Sequence, residues 1–474
     1  MILQAELDIR LSNEAVIFGP ENPLFSESTS RWNTLFAPTI QMVVVIANER
    51  DIQSTILFCN EKKIPFLAVN RGHGNAQSLG SFTGIQIHLA KLQDISINAD
   101  KKTAWFAGGV SAGNVTRYLW REGFVTTTGS CDCVGLLGVG LGGGHGRHEG
   151  LYGMISDNIV RLKVVLANGE AVLVDKSNHP DLFWAMRGAG HNFGIVTSLE
   201  LRIWPRGPDT WHYHNYIWRG SDLERVFTAL NDLHNNGTTP VNMAFNFGSF
   251  VFRPEIDTKQ PVIVWSFAYR GSADAASQYL APFNAIPSIG QQSGNVPYPE
   301  ISKAQSTDDS SAICQHGKHR VTTTIGLQNY NLTSERYIFD DFAQKIKNKA
   351  TIAAGAAIIH EGYSTRSVQD GQPDASAYPF RQDYHLMLMQ VTFQSQEDAL
   401  VIEARAWTDR VRQWWHEGQP HRPMHAYVNY ANGFEPLEEI YGSESWRLEK
   451  LRQLKQLYDP RNSFRYYNPI IPTH

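Results

Sequence analysis

Apolar and polar positions alternate along this chain in two rhythms, one of period two and one close to 3.6. Residues 41 to 47, QMVVVIA, form a short continuous apolar run that fits a strand buried on both faces. Asn48 follows as a helix N-cap, and NERDIQSTILFCNEKKI sets Ile52, Ile56 and Cys59 on one helical face. Pro65 stops that helix, and PFLAV returns as a strand running into Arg71-Gly72-His73-Gly74. The result is one βαβ unit that ends in a glycine-rich loop. A strand near TAWFAGG and a helix from about Asn114 to Glu122 open a second module. NIVRLKVVLANGEAVLVD reads as a hairpin turned at Asn168-Gly169 by a type I′ turn. DLFWAMRGAGHNFGIVTSLELRIWP closes the module at Trp204-Pro205.

From about residue 206 to 440 both rhythms lengthen. NMAFNFGSFVF, PVIVWSFAYRG and YHLMLMQVTFQ predict strands, whereas LERVFTALNDL, AASQYLAPFNAI, SERYIFDDFAQKIKN and DALVIEARAWTDRVRQWW predict helices. An antiparallel sheet covered by helices on one face satisfies that pattern. Along YHLMLMQVTFQ, His385, Met387, Met389 and Val391 fall on one face, with Leu386, Leu388 and Gln390 on the other. The Ser-, Gly- and Asp-rich stretch from about Gly362 to Pro379 reads as an exposed loop. The tail, SWRLEKLRQLKQLYDPRNSFRYYNPIIP, predicts a helix, an Asp-Pro turn and an extended end. The fold class is therefore α+β in two lobes: residues 1–205 completed by the tail 446–474, and residues 206–445.

A chain of 474 residues fits two or three lobes. A net charge of −4, with Lys and Arg scattered, leaves no basic field for nucleic acid or a membrane surface. No apolar run approaches the roughly 20 residues that span a bilayer. The start, MILQAELDIRLSNEAVIF, has no basic region followed by a long apolar one, so a cytoplasmic location is the expectation, with secretion open if a leader has been removed. Three N-x-Ser/Thr triplets begin at Asn114, Asn236 and Asn331, a number that chance also produces. Four cysteines are too few for a disulfide framework, and Cys131-x-Cys133 is tighter than a zinc knuckle. His145 and His148 in GHGRHEG read as loop polarity, so no metal site is predicted. Nothing in the sequence fixes an oligomeric state.

Two glycine-rich stretches carry the candidate chemistry. GSCDCVGLLGVGLGGGHG (129–146) contains a GxGxxG pattern from Gly138 to Gly143. A Rossmann turn needs a strand before the first glycine and a helix after it, and neither is legible here. Glycines this dense still let backbone lie against something flat or bulky. In Arg71-Gly72-His73-Gly74, backbone N–H groups after a buried strand suit an anion such as a pyrophosphate, the alternative being a turn with a solvated histidine.

Taken in order and spacing, these stretches resemble the flavin-linked oxidases of the berberine-bridge-enzyme type, within the vanillyl-alcohol-oxidase superfamily and its PCMH-type FAD-binding fold. AVNRGHGNAQSLG is similar to the family's first flavin loop, with His73 at the position bonded to the cofactor and Arg71 and Gly74 as departures. GSCDCVG is similar to the second loop and sets Cys131 at a second attachment position; attachment through His73 alone is the alternative. The stretch from Pro180 to Pro205 matches the segment by the adenine end of FAD. YVNY (427–430) and YDPRNSFRYYNPIIP resemble the C-terminal signature, with Glu444 in place of an asparagine and Asn468 in place of a glutamine.

The resemblance implies FAD held by Arg71, Gly72, Gly74, Asn75, Val134, Gly135, Gly138, Asn192, Gly194, Ile195, Val196, Asn429 and Asn468. It implies bonds from His73 to the methyl group of the benzenoid ring and from Cys131 to carbon six, the latter needing a thiolate that loop N–H groups would favour. Tyr430 takes the role of base; on a strand, Tyr427 and Asn429 would share one face, with Tyr430 on the other. No carboxylate stands at the centre of YHLMLMQVTFQ, which points away from a glutamate base and leaves His385, Gln390 and Tyr427 as pocket residues. Val134, small, would let oxygen reach the flavin. The implied reaction is oxidation of a small apolar or aromatic natural product, with hydride passed to flavin and O2 reduced to H2O2. Carbohydrate oxidation, a non-redox isomerisation or cyclisation that retains FAD, and an idle flavin carrier are the other readings.

Overall fold

The strands of the first 205 residues divide between two sheets in the computed structural model, which describes residues 2–348, 350–394 and 397–472. The outermost residues of the predicted domains, 1 and 473–474, lie outside the described residues. In the first sheet β1 (Val16–Phe18), β2 (Thr39–Val45), β3 (Phe66–Val69) and β4 (Thr83–His88) take the order β1-β2-β4-β3. β4 lies between β2 and β3 and is parallel to both. The crossover helix Glu49–Lys62 starts where Asn48 caps Asp51 N and the Asp51 side chain answers at Asn48 N. Its predicted face, Ile52, Ile56 and Cys59, is buried against Val44, Ile85 and Ile87.

The second sheet is antiparallel, with order β5-β6-β10-β8-β9 from β5 (Ile95–Ile97), β6 (Thr103–Ala107), β8 (Ile159–Val165), β9 (Ala171–Asp175) and β10 (Ile195–Arg202). A small pair, β7 (Phe124–Val125) with β11 (Trp204–Pro205), stands beside it. The helix predicted from Asn114 runs over Ala112–Arg121, because Ser111 accepts from Asn114 N and so starts it earlier. The β8–β9 turn is not type I′: only Gly169 has a positive φ, 84°, and the loop is a longer one closed from Gly169 N to Leu166 O. The GxGxxG stretch forms a six-residue helix, Leu136–Leu141, entered from turn residues instead of a parallel strand, and so lacks the Rossmann context.

The third sheet has seven antiparallel strands: β12 (Trp211–Arg219), β13 (Phe245–Val251), β14 (Val262–Tyr269), β15 (Gly290–Val296), β16 (His319–Leu327), β17 (Ala356–Tyr363) and β18 (His385–Phe393). Their order is β15-β12-β14-β13-β17-β18-β16. Four of them, β12, β15, β16 and β17, are strands that apolar periodicity did not reveal. Helices Leu223–His234, Ala273–Asn284, Leu332–Asn348 and Asp398–Glu417 cover one face, where Phe227, Phe283, Phe342 and Trp407 pack on Phe250, Ile358, Met387 and Met389. From the opposite face Phe245, Tyr363 and Leu386 join the core that holds Val164 and Leu199 of the second sheet. The alternation forced by the pleat thus aims one set of side chains at the helices and the other at the first lobe. No helix among the described residues is long and apolar enough to cross a membrane.

The tail is fastened to the first lobe, and a covalent bond joins that lobe to the second. The tail helix Ser445–Tyr458 is anchored by buried Lys455, whose Nζ donates to Asn192 O, Phe464 O and Asp459 Oδ2 at 2.7, 3.0 and 2.7 Å. Cys133 and Cys314, 181 residues apart, form a disulfide, a single bridge and not a framework, which leaves Cys59 and Cys131 free. Replacing Cys314 by Ser is expected to destabilise the fold by about 5 kcal/mol on loop-closure entropy. Thermal unfolding of the variant beside the parent checks this; coincident midpoints would show that the bond adds no stability.

Candidate active site

β3 feeds the chain directly into residues 70–74, which border a cavity of about 270 Å3. Its walls are β3 with the 70–74 loop, the Val134–Val139 turn and helix, Gly194–Val196 at the start of β10, and Phe464, Tyr466 and Tyr467 of the tail. Of the predicted cofactor residues, Arg71, Gly72, Gly74, Val134, Gly135, Gly138, Gly194, Ile195, Val196 and Asn429 line it, and so does His73. Gly72 has φ 69°, and a Cβ there would meet Ser30 O at 2.8 Å. At Gly135 a Cβ would lie 2.5 Å from Asn70 Nδ2, so only glycine lets the two loops approach.

Three other predicted residues stand behind this wall. Asn75 receives a hydrogen bond from Asn33 and donates to Thr322 Oγ1 at 2.6 Å. Asn192 accepts from Ile470 N and donates to Tyr441 Oη, and Asn468 donates to Val428 O. None of the three lines the cavity: Asn75 and Asn192 engage the chain's own groups, and Asn468 keeps an amide oxygen with no partner among the described residues. Asn70 and His191 were missed, although both line the cavity. Asn70 Oδ1, both ring nitrogens of His73 and His191 Nδ1 are buried with no hydrogen-bond partner among the described residues. Buried polar atoms that converge on one elongated cavity require a polar guest, and a dinucleotide with a flat ring system supplies one. The residues therefore fit FAD.

His73 is packed between Trp32, 6.4 Å away centre to centre, and the edge of His316 at 5.1 Å. Burial, followed by the charges of His316, Arg320 and Arg71, holds its pKa down at about 3. It is a neutral imidazole, the form that can act as a nucleophile. Cys131 does not line the cavity. Burial, reinforced by the Glu361 carboxylate, pushes its thiol up to about 12. That direction is opposite to the expected thiolate.

Residues 427–430 form a turn and not a strand, with Tyr430 N bonded to Tyr427 O at 2.8 Å. Asn429 donates to Tyr427 Oη at 2.6 Å and to Val139 O at 2.9 Å, while Gly144 N donates to Tyr427 Oη at 3.1 Å. Tyr427 is thus a brace for the glycine loop and no pocket wall. Tyr430 points elsewhere: its Oη donates to Glu361 Oε1 at 2.8 Å. Tyr363 Oη donates to Glu361 Oε2 at 2.9 Å, and Ser130 Oγ lies 3.5 Å from Tyr363 Oη. One carboxylate therefore gathers two phenols beside Cys131.

Glu361, on β17, is a candidate acid–base residue that the sequence pattern did not reveal. β18 carries no carboxylate, whereas this acid sits one strand over, directly opposite Leu386. Burial raises its carboxyl above the ordinary glutamate range, against the hydrogen bonds of Tyr430 and Tyr363 that lower it. Burial and then the Glu361 charge hold the Tyr430 phenol well above its usual pKa. In this arrangement Tyr430 holds its proton and donates it to Glu361, so it can take a proton only as it passes its own on.

The β18 candidates separate by face. His385 is buried on the helix side, stacked on Tyr330 at 4.1 Å and edge-on to His234 at 4.4 Å, and so is no pocket residue. Gln390 pairs with Ala357 in register and shares the Glu361 face. His145 is not a solvated loop residue either: it is buried, bridging Glu149 at 3.0 Å and Tyr378 Oη at 2.8 Å. Tyr378 lies over Gly143, so the end of the expected exposed loop is packed inside the protein. Among the described residues, no group of three or more His, Cys, Asp or Glu side chains could hold a metal ion.

Residues 40–175 match the family described as FAD binding domain, and residues 426–471 the family described as berberine and berberine like. The FAD-linked oxidoreductase anuG of Penicillium roqueforti is 45% identical over 466 residues, 98% of this chain and 91% of that protein. Among solved structures, BBE-like 1 of Physcomitrella patens superposes with a TM-score of 0.83 at 20% identity, over 100% of this chain and 99% of that one. The xylooligosaccharide oxidase of Myceliophthora thermophila gives 0.83 at 22% identity, over 99% of each chain.

Proposed function

The chain belongs to the berberine-like family of FAD-linked oxidoreductases, and from that premise we propose that it oxidises a small, largely apolar or aromatic alcohol, with O2 as the final acceptor and H2O2 as product. The hydrogen-bonded unit Tyr430–Glu361–Tyr363 carries the reading. Bound FAD supplies the hydride acceptor, and the protein supplies orientation and proton transfer. Glu361 is the terminal proton acceptor. The substrate hydroxyl gives its proton to Tyr430 Oη as Tyr430 passes its own to Glu361 Oε1. Tyr363 fixes the second carboxylate oxygen, so Oε1 stays aimed at Tyr430.

The surroundings favour an aromatic or apolar guest. Phe245 stacks on Tyr363 at 4.5 Å and on Phe247 at 5.4 Å, and Phe247 pairs in register with Glu361. Val134, small and on the cavity wall, leaves a path for oxygen. His73, neutral and on the same wall, is the attachment residue for the flavin. Cys131 is the second point of attachment, since Cys133 is already bonded to Cys314; its proton has the Glu361 carboxylate as a nearby acceptor.

Anaerobic mixing with two substrate panels, aromatic and allylic alcohols against oligosaccharides, tests the reading. Bleaching of the flavin by members of the first panel, followed by H2O2 on admission of air, is the expected result. Bleaching by oligosaccharides alone would assign a carbohydrate oxidase, and product without bleaching a non-redox reaction.

A further inference from the structure

The three N-x-Ser/Thr triplets are not equivalent in the fold. Asn114 sits half-buried in the first turn of the helix Ala112–Arg121. Both ends of its amide are engaged: Nδ2 donates to Gln93 Oε1 at 3.3 Å and Oδ1 accepts from Arg117 at 3.1 Å. Its threonine partner, Thr116, lies 3.3 Å from Thr128 Oγ1. A large substituent on Asn114 Nδ2 would break these contacts.

Asn236 and Asn331 are exposed, as are Thr238 and Thr333. Asn236 occupies a tight turn in the left-handed region, φ 53°, ψ 42°. Its Oδ1 accepts from Asn329 at 3.1 Å. A substituent on Nδ2 leaves that acceptor untouched. Asn331 caps the helix Leu332–Asn348, its Oδ1 accepting from Ser334 N at 3.1 Å. One of its two amide hydrogens reaches Gly418 O at 3.4 Å, and a singly substituted amide keeps one hydrogen. The Asn329–Asn236 bond places both sites on one edge, and neither lines the flavin cavity.

A second, independent observation points the same way. The Cys133–Cys314 disulfide joins segments 181 residues apart. Thiols in a reducing cytosol stay free, whereas a stable bridge of this kind belongs to an oxidising compartment. That compartment is also where N-glycans are added.

We infer that this chain matures in the secretory pathway, where it is N-glycosylated at Asn236 and Asn331 and left unmodified at Asn114. In each transfer the amide nitrogen loses one proton and bonds to the anomeric carbon of an oligosaccharide carried on a lipid diphosphate, which leaves. No electrons move in that step. For the disulfide, two thiols lose two electrons and two protons to a thiol oxidase, which passes them to O2. The cytoplasmic expectation is set aside.

The test uses the full chain purified from the cells that make it. Intact mass before and after N-glycosidase should differ by two glycans, with aspartate left at 236 and 331. Asn236→Gln and Asn331→Gln should each lose one glycan, and so should Thr238→Ala and Thr333→Ala, which keep the asparagines. Asn114→Gln should change nothing. Alkylation without reductant should spare Cys133 and Cys314, recovered as one linked peptide pair. A chain without glycans, a glycan on Asn114, a single glycan, or alkylated Cys133 and Cys314 would each overturn the inference.

Discussion

Glu361→Gln is expected to slow flavin reduction about 10^2- to 10^4-fold, the range for loss of a positioned acid–base group, with the flavin spectrum and the folded state preserved. Glutamine keeps the shape and one oxygen acceptor but takes no proton. Tyr430→Phe should slow the same step less, because Glu361 remains in place to receive a proton through water. The pH dependence has a defined sign. Burial holds the Glu361 carboxyl above the ordinary glutamate range, so it picks up a proton at a higher pH than a free glutamate does. Flavin reduction should therefore fall as pH drops through that raised value and level off above it. Stopped-flow traces across pH read both the rate and the limb. An unchanged rate in the glutamine variant, or a parent profile flat on the acid side, would remove Glu361 as the acceptor.

The double variant His73→Ala/Cys131→Ala is expected to release all of its flavin on denaturation, whereas the parent retains all of it. The reasoning rests on protonation. His73 stays neutral above about pH 3 and both of its ring nitrogens are unpartnered, so it is ready to bond without prior loss of a charge. The Cys131 thiol, held at about 12, has to give up a proton first. His73 therefore carries the bond that forms first, and His73→Ala alone measures what Cys131 holds by itself. Flavin fluorescence of the denatured band, with mapping of the peptides that contain residues 71–75 and 131, gives the answer. Flavin retained by the double variant would place the bond on other residues; flavin released by the parent would exclude a covalent bond.

Helices were legible because two signals coincide there. At Asn48 a capping side chain precedes a 3.6-residue apolar rhythm, and the helix starts within a residue of that point. The helix-covered face of the large sheet was legible for the same reason, through Phe227, Phe342 and Trp407. β17 was not. Its sequence, AAIIHEGY, puts two ionisable residues side by side, and each is buried on a different face: His360 bonds Glu335 at 2.9 Å on the helix side, while Glu361 holds two tyrosines on the other. A strand with ionisable side chains buried on both faces has no apolar alternation to read. β16 hides similarly, its Thr322-Thr323-Thr324 run buried although polar by composition. The flavin loops were placed by their glycines and their histidine. The three asparagines that stand behind the cavity illustrate the converse, since an amide's partner is chosen by tertiary neighbours and leaves no local mark.

The disulfide between Cys133 and Cys314 also turns residues 133–314 into a closed covalent ring. That ring takes in β8 to β10 of the second sheet and β12 to β15 of the third, and it carries the Val134–Leu141 and Gly194–Val196 walls of the flavin cavity. The remaining walls, β3 with its 70–74 loop and the tail residues Phe464 to Tyr467, lie outside the ring on the chain's two free arms. A dinucleotide of FAD's length held there lies between walls inside the ring and walls on the two arms.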